Sequence, residues 1–186
     1  MTSNTPSAPG NNAENGTIPL HLWQRAASLA ARFHHGQLRK DGATPYIAHP
    51  FRVAMIVRHA FNIDDEIALA AALLHDVIED TTADYDDVLD ECGKQVADAV
   101  AALTKDMRLA WKSREASYDE TLTNASWQAK LVKLADVYDN VCDAMSSKMR
   151  NSALKKVPRA IACVGDEPIL AAPVKQLQEL YDKATS

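Results

Sequence analysis

Aromatic residues are scarce in this sequence, at 6% of 186 positions, and glycine is scarcer still, with six. Sustained apolar–polar alternation is hard to find, and alanine and leucine are abundant instead, so the composition argues against a sheet and for an all-α protein. Cysteine is rare: Cys92, Cys142 and Cys163 are an odd number, widely spaced, with no Cys-x-x-Cys pair. No disulfide framework follows from them, and they read as free thiols of a reducing compartment, buried as small hydrophobes. Excess positive charge is absent. A formal net charge of −5 gives no global reason to expect nucleic-acid binding, so an anionic ligand would need a local basic patch. No apolar run approaches the roughly 18 residues of a membrane span. The opening MTSNTPSAPGNNAENG lacks the basic and apolar regions of a signal peptide, and its composition predicts a disordered tail over 1–17. The remainder, 18–186, is long enough for one domain with a full core, with no repeats, and the cytoplasm is its expected location.

What is present centres on AAALLHDVIED, Ala70–Asp80. Ala70, Leu73, Leu74, Val77 and Ile78 recur at helical spacing and predict an apolar helix facing a core. His75 and Asp76 interrupt that run. Glu79 lies four residues after His75 and Asp80 four after Asp76, so one helix end presents an imidazole and three carboxylates in a small area. A solvated helix terminus with a half-buried histidine is the plain alternative. Like charges this close repel unless compensated, and a bound cation compensates them.

Around this stretch the pattern is helical throughout. A stripe of Leu22, Ala26, Leu29, Ala30 and Phe33 predicts a helix from about Ile18 to His35, stopped by Gly36. The breaker-rich loop QLRKDGATPYIAHP carries Arg39 and Lys40 and delivers His49 where the next helix begins, with Val53, Ile56 and Val57 on one face. Asp64 and Asp65 open the helix of the central stretch. Asp84 can cap a short helix to Glu91, Gly93 breaks it, and another helix runs to about Thr104. Lys105–Ala125 is polar, helix mixed with loop. From Ala129, AKLVKLADVYDNVCDAM is strongly helical. Beyond Ser146 the signal fades, with helices expected over Ala153–Val164 and Glu167–Lys183.

Helix interiors rarely bury an aspartate without a partner. Asp136, in KLADVYDN, is therefore the candidate to complete a metal site with His49, His75 and Asp76. Two imidazoles and two carboxylates suit Mn²⁺ or Fe²⁺, with Zn²⁺ a further option. His49 alone would read as a capping residue, and Asp136 alone as an exposed acid of an amphipathic helix.

PYIAHP, AALLHDVIED and KLVKLAD, taken together, resemble the RelA/SpoT-type HD-domain hydrolases, and in particular the small single-domain alarmone hydrolases such as the metazoan SpoT homologs. The likeness covers roughly Leu20 to Met145. It implies a helical HD-domain fold around a metal, typically Mn²⁺, held by His49, His75, Asp76 and Asp136. It implies that Glu79 and Asp80 activate water, that Asn140 contacts the nucleotide, and that Arg39 and Lys40 contact base or phosphates. The implied reaction removes the 3′-pyrophosphate from ppGpp and pppGpp, giving GDP or GTP and pyrophosphate. Elementary chemistry agrees: a metal ion acidifies water and neutralises phosphate charge, a carboxylate accepts the proton, and basic side chains hold phosphate oxygens. Lys112 and Arg114, in the polar stretch, are further candidates for the distal pyrophosphate.

The sequence departs from that pattern after KLAD, where the family has a basic residue, a hydrophobic one, His or Tyr, then Asn. Here the run is Val137, Tyr138, Asp139, Asn140. An acid gained beside the nucleotide pocket predicts looser guanine selectivity. A (p)ppApp hydrolase, an enzyme acting on another 3′-phosphorylated nucleotide such as NADPH, and a general nucleotide phosphohydrolase therefore stay open, as does a non-catalytic nucleotide-binding module. A binding-only site, however, has no chemical need for Glu79 and Asp80. The expected partner is a small-molecule nucleotide, with a homodimer open, and neither nucleic acid nor membrane.

Overall fold

The computed structural model describes residues 19–186, so the expected tail and its boundary with the domain lie outside the described residues. Among the described residues there is no strand, only an isolated bridge between Leu38 and Pro45. The chain folds as helices α1 (Leu22–Phe33), α2 (Ala48–Met55), α3 (Glu66–Leu74) and α4 (Val77–Asp80), with a π-helical turn over Ile56–Ala60 after α2. Then come α5 (Tyr85–Cys92), α6 (Lys94–Leu103), α7 (Trp111–Thr123) and α8 (Trp127–Cys142). The chain closes with α9 (Ser147–Leu154), α10 (Val157–Val164) and α11 (Ala171–Thr185).

Local chemistry sets the ends of these helices. The Asp65 carboxylate accepts from the Ala68 amide at 2.8 Å and starts α3. Asp84 caps α5 and Asp87 returns the bond to the Asp84 amide, while Ser126 and Ser146 cap α8 and α9. Gly93, at φ 84°, ends α5 and turns the chain into α6, a backbone conformation that a Cβ would strain.

Two helices form the centre. In α3 the residues Ala68, Ala70, Ala71, Ala72, Leu73 and Leu74 are all buried, and the alanines let α1, α2, α6 and α8 pack closely around it. In α8 the residues from Ala129 to Val141 are mostly buried, and α2, α3, α6, α10 and α11 surround them. A helix that is apolar nearly all round belongs in the interior of a bundle. Because α2, α3 and α8 pack on one another, residues at the start of α2, the end of α3 and the middle of α8 meet.

Several boundaries differ from the sequence pattern. The first helix begins at Leu22 rather than Ile18. The expected continuous helix over Ala70–Asp80 is broken at His75 and Asp76. There the His75 ring bonds the Ala72 carbonyl at 2.8 Å and Asp76 sits at φ −103°, ψ −2°. The ring replaces a backbone donor at the end of α3, and the chain turns so that both side chains face inward. The helix expected over Ala153–Val164 divides at Lys155–Lys156, and α9, unforeseen, precedes the break. Cys92 and Cys163 are buried, whereas Cys142, at the end of α8, is exposed and does not serve as a core hydrophobe.

Candidate metal and nucleotide site

His49, in the first turn of α2, and His75, at the end of α3, are buried at 2% and 3% exposure. Each ring is fixed by what its Nδ1 touches. The His75 Nδ1 lies 2.8 Å from the Ala72 carbonyl oxygen, and the His49 Nδ1 lies 2.7 Å from Asp139 Oδ2. A carbonyl and a carboxylate only accept, so both rings carry the proton on Nδ1 and turn Nε2 toward the same point. Asp136 meets them there, with Oδ1 3.3 Å from His49 Nε2 and 3.9 Å from His75 Nε2. One ligand atom from each of these three residues lies within 4.8 Å of the others. Asp76 Oδ2 completes the group, 3.1 Å from His75 Nε2 and 3.6 Å from His49 Nε2.

This donor set fits a divalent cation. The buried Nε2 of His75 has no hydrogen-bond partner, although buried polar atoms are almost always satisfied. Burial works against charge on the His75 ring, but the neighbouring Asp76 outweighs it and pushes the pKa up to about 9. Burial likewise opposes the ionised Asp136, but Lys133 and both histidines hold it well below the usual carboxylate range. The cluster thus stores negative charge that either protons or a metal ion must balance, and a bound ion would displace the protons.

The four residues open into a cleft of about 420 Å³. Glu79 and Asp80 line it. Glu79 accepts the Lys105 amide at 2.9 Å, while burial raises its pKa. Asp80 accepts the Tyr46 hydroxyl at 3.0 Å, and that hydroxyl also bonds Asp76. Arg39, Lys40 and Asn140 reach the same cleft. The Asn140 amide donates to the Asp136 carboxylate and, at 3.0 Å, to the Asp136 carbonyl, which steadies the α8 turn carrying Asp136.

Lys112 and Arg114 are not brought to the site. They sit in the first turn of α7, Lys112 exposed and Arg114 half-buried, and neither lines the cleft. The cationic wall comes instead from Lys105, Lys133 and Lys156, beside Arg39 and Lys40. These three lysines follow α6, lie within α8 and precede α10, so their convergence has no local sequence signature. Lys133 alone had one: three residues before Asp136, it shares that face of α8 and places Nζ 2.9 Å from Asp136 Oδ2. Lys105 and Lys133 both lie over the Tyr118 ring, at 5.1 and 5.3 Å from its centroid.

Asp139 also differs from its expected role. It is 3% exposed and does not line the cleft. Its carboxylate is taken up by His49 and by both Nε and Nη2 of Arg52, at 2.7 and 2.8 Å. Asp139 therefore presents no oxygen to a nucleotide in the cleft, and an acid at this position gives no support to the expectation of looser guanine selectivity. Val137, in the core at 0% exposure, gives it none either.

The HD domain family matches residues 26–160. The human "Guanosine-3′,5′-bis(diphosphate) 3′-pyrophosphohydrolase MESH1" is 45% identical over 119 residues, which are 63% of this chain and just under two-thirds, 66%, of that protein. The Drosophila melanogaster protein of the same name is 40% identical over 128 residues, 68% of this chain and 72% of that one. A solved structure described as "A metazoan ortholog of SpoT hydrolyzes ppGpp and plays a role in starvation responses" superposes with a TM-score of 0.77 at 31% identity. It covers 90% of this chain and 98% of that one.

Proposed function

Because this chain belongs to the HD domain family, we propose that it is a metal-dependent hydrolase that removes the 3′-pyrophosphate from guanosine alarmones. One observation carries the reading. A donor set of two Nδ1-protonated imidazoles and two carboxylates shares a single cleft with Glu79, Asp80 and five basic side chains, Arg39, Lys40, Lys105, Lys133 and Lys156. That cleft suits a ligand with several negative charges, and the relatives named for ppGpp hydrolysis agree with it.

His49, His75, Asp76 and Asp136 would hold the cation, with Mn²⁺ the expected ion. When bound, it supplies an acidified water and neutralises charge on phosphate. The chain's own groups do the rest. Glu79, its pKa raised by burial, takes the proton from the attacking water. Water adds to the phosphorus on the 3′ oxygen, the P–O3′ bond breaks, and the proton ends on the departing 3′ hydroxyl. Asp80 is oriented by Tyr46. The basic side chains hold the pyrophosphate and the 5′ phosphates, Arg39 through a planar guanidinium suited to two oxygens at once. Among the described residues no helix is long and apolar enough to cross a membrane.

The test is turnover of the purified chain, with Mn²⁺ or with EDTA, on ppGpp, pppGpp, ppApp, NADPH and cyclic nucleotides. Mn²⁺-dependent release of pyrophosphate from ppGpp is expected. A protein that binds Mn²⁺ and ppGpp yet turns over none of the panel would be a binding module, and the hydrolase reading would fall.

A further inference from the structure

We propose that Asp139 is a positioning residue of the metal centre, through a ladder of charged contacts that fixes one metal-ligating imidazole and one substrate-binding guanidinium together. The inference rests on the metal-hydrolase reading above.

Asp136, Asp139 and Asp143 are spaced three and then four residues apart, so they form one acidic stripe along α8 and just past its end. His49 and Arg52, three apart on α2, face that stripe across the α2–α8 contact. The rungs alternate in sign. Asp139 Oδ2 accepts from His49 Nδ1 at 2.7 Å, and Arg52 grips both Asp139 oxygens, at 2.7 and 2.8 Å. Arg52 Nη2 lies 2.9 Å from Asp143 Oδ2, and the same oxygen accepts Arg39 Nη2 at 2.7 Å. Arg39 lies over the Tyr46 ring, 5.6 Å from its centroid, and the Tyr46 hydroxyl returns to Asp76 and Asp80. The contacts thus close a circuit that leaves the site at His49 and re-enters it at Asp76.

Two features set Asp139 apart from a third carboxylate ligand. Its oxygens face Arg52 and the Nδ1 of His49, not the Nε2 that points into the site, so they are not placed to ligate the metal. The two aspartates and two arginines of the ladder balance in charge, so it does not need the cation. What Asp139 provides is direction. An acceptor at Nδ1 fixes the His49 tautomer and ring plane and keeps the Nε2 lone pair in the site, the role that carboxylate partners of metal-bound histidines play. Arg52 stands opposite Asp139 and neutralises it.

Mn²⁺ titration of the full chain, followed by the EPR signal of the free ion, separates this role from the others. Asp139→Ala should weaken Mn²⁺ binding about 10- to 100-fold, the usual effect of removing such a partner. Asp139→Asn, which keeps an acceptor of the same shape but not the charge, should recover part of that loss. Asp143→Ala frees Arg39 and removes one contact of Arg52, whose two bonds to Asp139 remain: its Mn²⁺ affinity should stay within about threefold of wild type, while KM for ppGpp rises several-fold and kcat holds. Circular dichroism of the metal-free proteins checks folding; if Asp139→Ala does not fold, the isosteric Asp139→Asn, weaker than wild type toward Mn²⁺, carries the test. If wild type binds Mn²⁺ and folded Asp139→Ala or Asp139→Asn binds it equally well, the positioning role is wrong although the metal reading stands. If wild type binds no Mn²⁺, the metal reading itself is wrong and this inference with it.

Discussion

Replacing Glu79 by glutamine should separate chemistry from support. The Glu79 side chain is half-buried, lines the cleft beside Asp76 and Asp80, and accepts one hydrogen bond, from the Lys105 amide at 2.9 Å. A glutamine Oε1 can accept the same bond. What is lost structurally is the charge-assisted part of that bond, about 1 kcal/mol. Relief of repulsion from two neighbouring carboxylates works the other way. For a chain of this size about 1 kcal/mol moves the melting temperature by about 2–4 °C. If Glu79 accepts the proton from water, its loss should lower kcat by about 10²–10⁴-fold, or about 2.7–5.5 kcal/mol of barrier. The two quantities differ several-fold, so one sample decides. Thermal melts, Mn²⁺ content by atomic emission and steady-state pyrophosphate release are measured on the same preparation of Glu79→Gln. Loss of metal in proportion to activity, or a kcat within tenfold of wild type, would refute the assignment of Glu79 to proton transfer.

Asp76→Ala should lose Mn²⁺ and activity together, and EDTA should abolish turnover of the wild type until Mn²⁺ is restored. Wild-type melting should rise with Mn²⁺ by about 2.7 kcal/mol of stability at 100 times Kd, and a melt indifferent to Mn²⁺ would count against the site. Arg39→Ala and Lys40→Ala should raise KM for ppGpp more than they lower kcat, by about 1–3 kcal/mol each, with the effect shrinking as salt is raised. A kcat-only effect would mean that these residues act elsewhere. Glu115 is a further target: burial would raise its pKa, but its ion pairs with Lys105 and Arg159, at 2.7 and 2.8 Å, bring it down to about 2 from 4.5. A depressed carboxylate stabilises the fold above its unfolded pKa and loses that contribution as pH falls through 4.5 toward 2. Urea unfolding of Glu115→Gln should therefore be flatter than wild type across that interval, and parallel curves would show the pairs to be worth little.

The all-α class, the caps at Asp65 and Asp84, and the three motifs holding His49, His75, Asp76 and Asp136 were legible in the sequence. Hydrophobic period, capping chemistry and short motifs are properties of neighbours along the chain. The tertiary structure decided what distant segments do to one another. It broke the helix at His75 because a ring nitrogen, rather than a backbone amide, satisfies the Ala72 carbonyl. It set aside Lys112 and Arg114 and assembled the cationic wall from Lys105, Lys133 and Lys156, which share no pattern until α6, α8 and α10 pack. It also turned Asp139 from the expected nucleotide pocket toward His49 and Arg52. From sequence, an aspartate three residues past a ligand can face the substrate or the ligand's partner, and only the crossing of α2 over α8 chooses between them.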